Sequence, residues 1–213
     1  MIITIGGTFG SGGKGVAEQL SEKIGYKLCD DELVTEVVKD LDVDLEKSTF
    51  QLFDESQGTA SIEDIKHLSK AQKRTKYNIL VSVLSNDVIP LDRRLAETQE
   101  QIINRLADED NVILMGRSAN YYLRNRKDCI RVFCVDTLEN RIARIARIHG
   151  VSEKEAAKII DHTDKRRRDY YSFFTGQNWG DLEYYDLSVN IASTSVEDTA
   201  ELIKALVGIK SGK

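Results

Sequence analysis

The first twenty residues, MIITIGGTFGSGGKGVAEQL, constrain the fold of this chain more than any other stretch. Residues 2–5 are mostly β-branched and predict a buried strand. Six glycines follow within ten residues, at positions 6, 7, 10, 12, 13 and 15. Val16, Ala17 and Leu20 then recur at helical spacing. A strand, a glycine-rich loop and a helix in this order predict a phosphate cradle, because loop N–H groups and the helix dipole attract anions.

This loop matches the P-loop signature G-x-x-x-x-G-K-[ST] only in part. Residues 7–12 supply both glycines, but Gly13 then occupies the lysine position and Lys14 the hydroxyl position. When the frame is moved by one residue, Lys14 falls into register, but Thr8 replaces the first glycine and Gly15 the hydroxyl residue. In both frames the hydroxyl that would reach magnesium is missing. The loop therefore predicts phosphate binding more firmly than catalysis, and a glycine-rich turn without a ligand is the alternative.

Composition excludes several classes of protein. The chain has 213 residues, of which 41% are apolar and 31% charged, so it is long enough for one α/β domain and is not disordered. No apolar run approaches the length of a membrane span, and the opening strand lacks the basic flank of a signal peptide. The net charge of −5 disfavours nucleic acid as the main partner. Three cysteines without metal-ligand spacing predict reduced thiols in a cytoplasmic protein.

About five strands alternate with helices along the chain. After the first strand, residues 25–29, 111–115, 129–135 and 185–191 predict the others. This order predicts an α/β fold with a parallel sheet covered by helices on both faces, and ligands at the carboxyl ends of the strands. Residues 41–95 carry apolar residues at spacings of three and four, and predict a helical insertion within a single domain spanning 1–213.

Polar side chains near the predicted strand ends are candidate ligands for phosphate. Asp30 follows the second strand, where it either caps a helix or faces the phosphates through magnesium or water. Arg117 follows the strand at 111–115, where it either pairs with a structural carboxylate or grips a phosphate with both arms of its guanidinium. Ser193 and Thr194 lie on the loop before the last helix, a place for a nucleotide base.

Two basic groups follow in the second half of the chain. Arg141, Arg144 and Arg147 recur every three residues along one side of a predicted helix. Residues 161–171 hold the strongest positive cluster of this acidic chain, with arginines at Arg166, Arg167 and Arg168. That cluster is either a solvated helix face or a clamp for phosphate.

With these features in place, nearly the whole chain resembles the cytidylate kinase-like group of P-loop nucleoside monophosphate kinases. The resemblance rests on residues 9–13 after the first strand, on residues 112–117 (VILMGR), and on residues 164–190 with Tyr170-Tyr171, Trp179-Gly180 and Tyr185-Asp186-Leu187. It implies the P-loop fold, with ATP and Mg²⁺ as cofactors and transfer of the γ-phosphoryl group to CMP or dCMP. The Gly-Arg-Asp motif of cytidylate kinases corresponds to residues 116–118, with Ser118 in the place of the aspartate.

The resemblance and the residues together imply a set of roles. Residues of the loop would bind the donor phosphates: Phe9, Gly10, Ser11, Gly12, Gly13, Lys14 and Gly15. Lys14 would neutralise the group in transfer, and Arg117 would hold the acceptor phosphate. Arg166 and Arg167, in an arginine-rich lid at 150–182, would close over the reaction and exclude water.

Two other functions stay open at this point. One is a regulatory protein that binds nucleotide without catalysis, which the altered loop at Gly13–Lys14 favours. The other is a kinase for a small metabolite that is not a nucleotide, for which the insertion at 41–95 leaves room. The residues do not define the oligomeric state.

Overall fold

The structure is a computed structural model that describes residues 1–30, 50–54, 58–60, 78–81 and 89–212, with side chains described for 1–30 and 97–212. Its strands are β1 (Ile2–Gly7), β2 (Lys27–Cys29), β3 (Phe50–Asp54), β4 (Gly58–Ala60), β5 (Asn78–Val81), β6 (Val112–Met115), β7 (Cys129–Val135) and β8 (Leu187–Asn190). Its helices are α1 (Gly13–Ile24), α2 (Ile89–Ala107), α3 (Ala119–Tyr122), α4 (Leu138–His149), α5 (Glu153–Thr175) and α6 (Val196–Lys210), with a 3₁₀ turn at Leu182–Tyr184.

The main sheet has five parallel strands in the order β2-β6-β1-β7-β8, which confirms the predicted α/β architecture. The first strand lies at its centre, where Ile3 pairs with Ile113 on one side and with Ile130 on the other. Its first four residues, 2–5, are buried, as the β-branched run predicts for a strand covered on both faces. The glycine-rich loop therefore leaves the middle of the sheet at its carboxyl edge.

Helices cover the sheet and form two apolar clusters around the loop. On one face, Val16 and Leu20 of α1 pack with Ile203 of α6 and with the inward side chains of β1, β6 and β7. A second cluster joins the loop to α4 and α5 through Phe9, Ile145 and Ile160. The start of α1, the end of β6 and one side of α4 and α5 consequently meet at the same edge of the sheet.

The helical insertion predicted for residues 41–95 is wrong where the structure describes this segment before Ile89. Its described residues form an antiparallel sheet in the order β4-β3-β5. Short apolar runs such as Ile79–Val81 fit a helix face and a strand equally well by spacing alone, and their β-branched content belongs to a strand. The helical faces predicted around Ile62 and Leu84 lie outside the described residues.

Side-chain caps define the starts of two helices. Thr137 caps α4 by accepting a hydrogen bond from the Asn140 amide, and Ser152 caps α5 in the same way through Glu155. All three cysteines are buried and reduced, as the cysteine pattern predicts. Among the described residues, the structure has no helix with the length and apolar content to cross a membrane.

Candidate active site

A cleft of about 700 Å³ opens at the carboxyl edge of the main sheet. Most of residues 6–15 of the loop line it, together with Asp30, Arg144, Ile148 and Val196. Further lining residues come from α2, β6, α3, α5 and the segments that follow β6 and α5, namely Gln99, Met115, Gly116, Arg117, Ser118, Asn120, Tyr170, Tyr171, Trp179 and Tyr185. The topology thus brings together the loop and two of the three arginines predicted to be catalytic, Arg117 and Arg167.

The loop backbone requires glycine at two of its turns. Gly10 has a φ of 77° and Gly12 a φ of 96°, in the left-handed region that other residues adopt at a cost. Gly12 is also the N-cap of α1, so the helix begins inside the cleft at Gly13. The first N–H groups of a helix have no partner within the helix and suit an anion. The loop and the start of α1 therefore have the backbone shape that a phosphate cradle requires.

The carbonyl oxygens of the loop are held by guanidinium groups from α4 and α5. Arg167 donates to the Gly7 carbonyl at 3.0 Å, and Arg141 donates through Nε to the Phe9 carbonyl at 2.7 Å. Arg144 donates to the Gly10 carbonyl and also binds Asp136 at 2.8 Å. Carbonyl oxygens repel phosphate, so their arginine partners leave the amide side of the loop to a ligand. These three arginines contact the loop itself, which the basic pattern alone did not predict.

Phe9 occupies a different position from the one predicted for a phosphate ligand. Its N–H donates to Asp164 Oδ1 at 2.8 Å, and its side chain is 1% exposed. The Arg167 guanidinium lies 5.4 Å from the centre of the Phe9 ring. The expected phosphate contact of the Phe9 amide is therefore corrected, because a buried carboxylate accepts that hydrogen bond.

Lys14 points across the cleft to Asp30. The ammonium nitrogen lies 3.0 Å from Asp30 Oδ2, and the side chains are 30% and 10% exposed. Both line the cleft, as the position of Asp30 at the end of β2 predicts. This pair places one cation and one carboxylate next to the loop.

Arg117 lies in an unusual stretch of backbone. Gly116, Arg117 and Ser118 all have φ between 56° and 60°, so the chain makes a left-handed turn directly after β6. Each non-glycine residue in this region costs roughly 1–2 kcal/mol. Such strain concentrates at functional sites, where the surrounding structure enforces it. Here it places Arg117 in the cleft lining and leaves Ser118 8% exposed beneath it.

Besides Phe9, three predicted site residues do not line the cleft. Arg166 is half-buried beside the cleft-lining Arg167, and burial lowers the pKa of its guanidinium from the usual value. Ser193 is exposed, and the Thr194 hydroxyl bonds to Thr199 at 2.8 Å. Val196, the first residue of α6, lines the cleft. The nucleotide contacts expected of Arg166, Ser193 and Thr194 stay predictions.

Aromatic and amide side chains also line the cleft, and the sequence did not single them out as a site. Tyr170 donates to Gln99 at 2.6 Å, and Asn120 donates to the Tyr171 hydroxyl at 2.8 Å. Burial raises the pKa of both Tyr171 and Tyr185, so these phenols stay neutral hydrogen-bonding groups at physiological pH. The only available signal was the density of tyrosine and tryptophan between 170 and 185.

The fold and the cleft define the class. A central β1, a glycine-rich loop that opens α1, and cations from β6 and α5 at the same edge are the arrangement of a P-loop kinase. Comparison with known proteins agrees: the model of the cytidylate kinase-like family matches residues 2–193, and the chain belongs to that family.

Individual relatives are distant. The cytidylate kinase of Methanopyrus kandleri is 25% identical over 216 residues, covering 97% of this chain and 93% of the relative. A solved protein of Eubacterium ventriosum, described as uncharacterized, superposes with a TM-score of 0.68 at 24% identity, over 97% of this chain and 98% of that chain. Shikimate kinase from Bacteroides thetaiotaomicron superposes with a TM-score of 0.51 at 11% identity, over 97% and 98%, and shares the fold.

Family membership makes this protein a kinase of nucleotides or other small molecules, and it implies nucleotide binding with a divalent metal. The described residues contain no cluster of three acidic, histidine or cysteine side chains that could chelate a metal alone. Mg²⁺ in kinases binds substrate phosphates, several waters and one or two carboxylates, and two carboxylates, Glu18 and Asp30, line the cleft. Gly15 occupies the hydroxyl position of the signature when Lys14 is in register. A Cβ at Gly15 would lie 3.3 Å from Val196, so the close packing of α1 on α6 leaves little room for the usual hydroxyl side chain. The site fits a metal held mainly by the nucleotide.

Proposed function

We propose that this protein transfers the γ-phosphoryl group of ATP to a nucleoside monophosphate such as CMP or dCMP. The P–O bond to ADP breaks, a new bond forms to an oxygen of the acceptor phosphate, and the products are ADP and a nucleoside diphosphate. The observation that carries the proposal is the meeting of the loop, Lys14, Arg117 and Arg167 in one cleft that extends into an aromatic and amide lining.

The chain's own residues act by position and charge. The amides at the start of α1 bind the donor phosphates, Lys14 neutralises the oxygens of the group in transfer, and Arg117 holds the acceptor phosphate. Asp30 would help, through water, to hold magnesium on the nucleotide, and the metal would supply further positive charge there. A phosphate acceptor is already anionic, so this chemistry needs little from a general base. Tyr170, Tyr171 and Trp179 line the same cleft as Arg117, and they would contact the nucleobase.

The experiment is a panel of acceptors with ATP and magnesium. CMP, dCMP, UMP, AMP, GMP and shikimate are each incubated with the protein, and ADP formation is measured beside the phosphorylated product. We expect transfer to a pyrimidine monophosphate, with the highest kcat/KM for CMP or dCMP. Transfer to shikimate alone would establish the metabolite kinase instead. ATP binding without transfer to any acceptor would establish the regulatory protein.

The altered loop gives the regulatory alternative its specific support. Gly13 occupies the lysine position of the P-loop signature, Lys14 or Gly15 occupies the hydroxyl position according to the frame, and Lys14 is paired with Asp30. Catalysis requires this ion pair to yield Lys14 to the nucleotide, whereas binding does not.

A further inference from the structure

We propose that Asp164 is a positioning residue that, with Arg141, fixes the glycine-rich loop in its phosphate-binding shape before the nucleotide arrives. The proposal rests on the proposed function only in that the ligand of the loop is a nucleoside triphosphate. Asp164 lies on α5, one turn before Arg167, within the stretch predicted to be a lid.

The first observation is a closed set of hydrogen bonds around one residue of the loop. Asp164 Oδ1 accepts from the Phe9 N–H at 2.8 Å, and Arg141 Nε donates to the Phe9 carbonyl at 2.7 Å. Asp164 Oδ2 accepts from Arg141 Nη2, which joins the two side chains. Both backbone polar groups of Phe9 are thereby fixed by one ion pair.

The second observation is burial. Asp164 is 6% exposed and Arg141 8% exposed, and neither lines the cleft. Two buried charges lose hydration, and an apolar pair of similar volume often gives equal or greater stability. Stability alone therefore does not explain this pair. An apolar pair could fill the same space, but it could not set the direction of the peptide groups on either side of Phe9.

The direction of those peptide groups decides what the cleft presents to a phosphate. Gly10 follows Phe9 with a φ of 77°, and a glycine in a turn reorients more easily than any other residue. A rotated Phe9–Gly10 peptide would move the Gly10 amide and the carbonyl of Phe9 relative to the cleft. With Arg144 on the Gly10 carbonyl and Arg167 on the Gly7 carbonyl, the Arg141–Asp164 pair completes the restraint of the loop from its outer side.

The same contacts change the meaning of the predicted lid. Asp164 and Arg167 are three residues apart on one face of α5, and both bind the loop. This part of α5 is thus joined to the phosphate cradle, so Arg167 stands at the cleft without a closing movement of residues 164–167. Any closing part of the segment 150–182 lies beyond these residues.

The test compares loss of one charge with loss of both. Asp164→Asn leaves Arg141 buried without its carboxylate, so we expect lower thermal stability and ATP affinity reduced roughly 10- to 100-fold. The double variant Arg141→Met/Asp164→Leu restores an apolar core. Its Tm should return to within about 4 °C of wild type, while its ATP affinity stays reduced to a similar degree. Affinity is measured by calorimetry without acceptor, and kcat and KM are measured with CMP.

A matched control separates positioning from general destabilisation. Asp186 forms an ion pair with Arg131 at 2.9 Å, and neither residue lines the cleft. Asp186→Asn should lower the Tm and leave the Kd for ATP within about twofold of wild type. Backbone NMR adds a direct readout, because the Phe9 amide should exchange slowly in wild type and quickly in the double variant, where leucine offers its N–H no acceptor.

The outcomes are separable from those of the proposed function. A double variant that is stable and binds ATP as wild type does would overturn the positioning role, and so would a Phe9 amide that exchanges fast in wild type. A wild-type protein that binds ATP but phosphorylates no acceptor would end the proposed function, while the affinity ratios would still decide the role of Asp164. Wild type that binds neither ATP nor inorganic tripolyphosphate would end both.

Discussion

Lys14 replaces the lysine of the P-loop signature from a position one residue later, and its contact with Asp30 holds it at the loop. We predict that Lys14→Ala lowers kcat by roughly 10²- to 10³-fold, because it removes a charge that stabilises the transition state, as an oxyanion donor does at ~3–4 kcal/mol. Steady-state kinetics with ATP and CMP measure the effect. KM for CMP should change little, since Arg117 is the residue proposed to bind the acceptor phosphate.

Lys23 provides a control on the same helix. Its ammonium binds Glu201 at 2.7 Å and does not line the cleft. Lys23→Ala should leave kcat within about twofold of wild type, because the residue lies outside the cleft lining and its exposed ion pair contributes little to stability. Full turnover by Lys14→Ala would show that the lysine has no part in transfer.

The sequence predicted which cationic side chains line the cleft better than it predicted what those side chains contact. Lys14 and Arg117 reach the cleft because each follows a strand of the parallel sheet, and this follows from chain order. Arg141 and Arg166 are equally basic in sequence, but tertiary packing turns the first to Phe9 and the second out of the cleft lining. The burial of Asp164 was not predictable, since nothing in the local sequence shows that one carboxylate in a cluster of arginines is buried.

At the scale of elements, the buried strands and the helix caps were predictable because each depends on local pattern. β7 spans the residues 129–135 that the sequence assigned to it, and Thr137 caps the next helix. The small sheet β3–β5 was not predictable, since its strands are short and periodicity does not show which strand pairs with which. The glycine-rich loop lies between these cases, because its composition predicted a turn but not which partner constrains it.

Gly10 shows how the loop and α4 constrain each other. A Cβ at this position would lie 2.9 Å from Ile145 Cγ1, and the φ of 77° disfavours any side chain. We predict that Gly10→Ala lowers the free energy of unfolding by about 2–4 kcal/mol, the sum of left-handed strain and overpacking. Chemical denaturation measures this, and ATP affinity should fall with it because the loop must shift.

Gly150 separates the two causes. It ends α4 with a φ of 66°, and a Cβ there would have nothing within 4 Å. Gly150→Ala should therefore cost only the strain, about 1 kcal/mol. In a double-mutant cycle with Ile145→Ala, Gly10→Ala should cost less, since alanine lacks both Cγ1 and Cδ1, which would lie 2.9 Å and 3.3 Å from the new Cβ. Equal losses for the two glycine variants would mean that contact with Ile145 does not constrain the loop.

For the molecule as a whole, the strand order β2-β6-β1-β7-β8 brings together residues that no single sequence motif contains. It places chain segments around residues 14, 30, 117 and 167 at one edge of one sheet. The last strand and helix contribute chiefly to the stability of this frame. Asp186, just before β8, accepts hydrogen bonds from Arg131 at 2.9 Å and from Lys210 at 3.1 Å, which connects β7, β8 and the end of α6.

This connection makes stability depend on pH in acid. Burial alone would raise the pKa of Asp186, but hydrogen bonds from Arg131 and Lys210 outweigh it and lower the pKa to about 2, from a model-compound value of 3.8. A lowered pKa in the folded state means that the carboxylate stabilises the fold above pH 3.8 and that this contribution is lost as the pH falls toward 2. The shift corresponds to about 2 kcal/mol, and screening at this partly exposed site reduces it to roughly 1 kcal/mol.

Asp186→Asn should therefore lower the Tm by about 2–4 °C at pH 7, and the difference from wild type should shrink steadily between pH 4 and pH 2. Thermal unfolding across this range measures it, with Glu109→Gln as the control, because the Glu109–Lys27 pair is about half exposed and should contribute little. A difference that stays constant down to pH 2 would mean that packing around Asp186, and not its charge, holds β8 and α6 to the sheet.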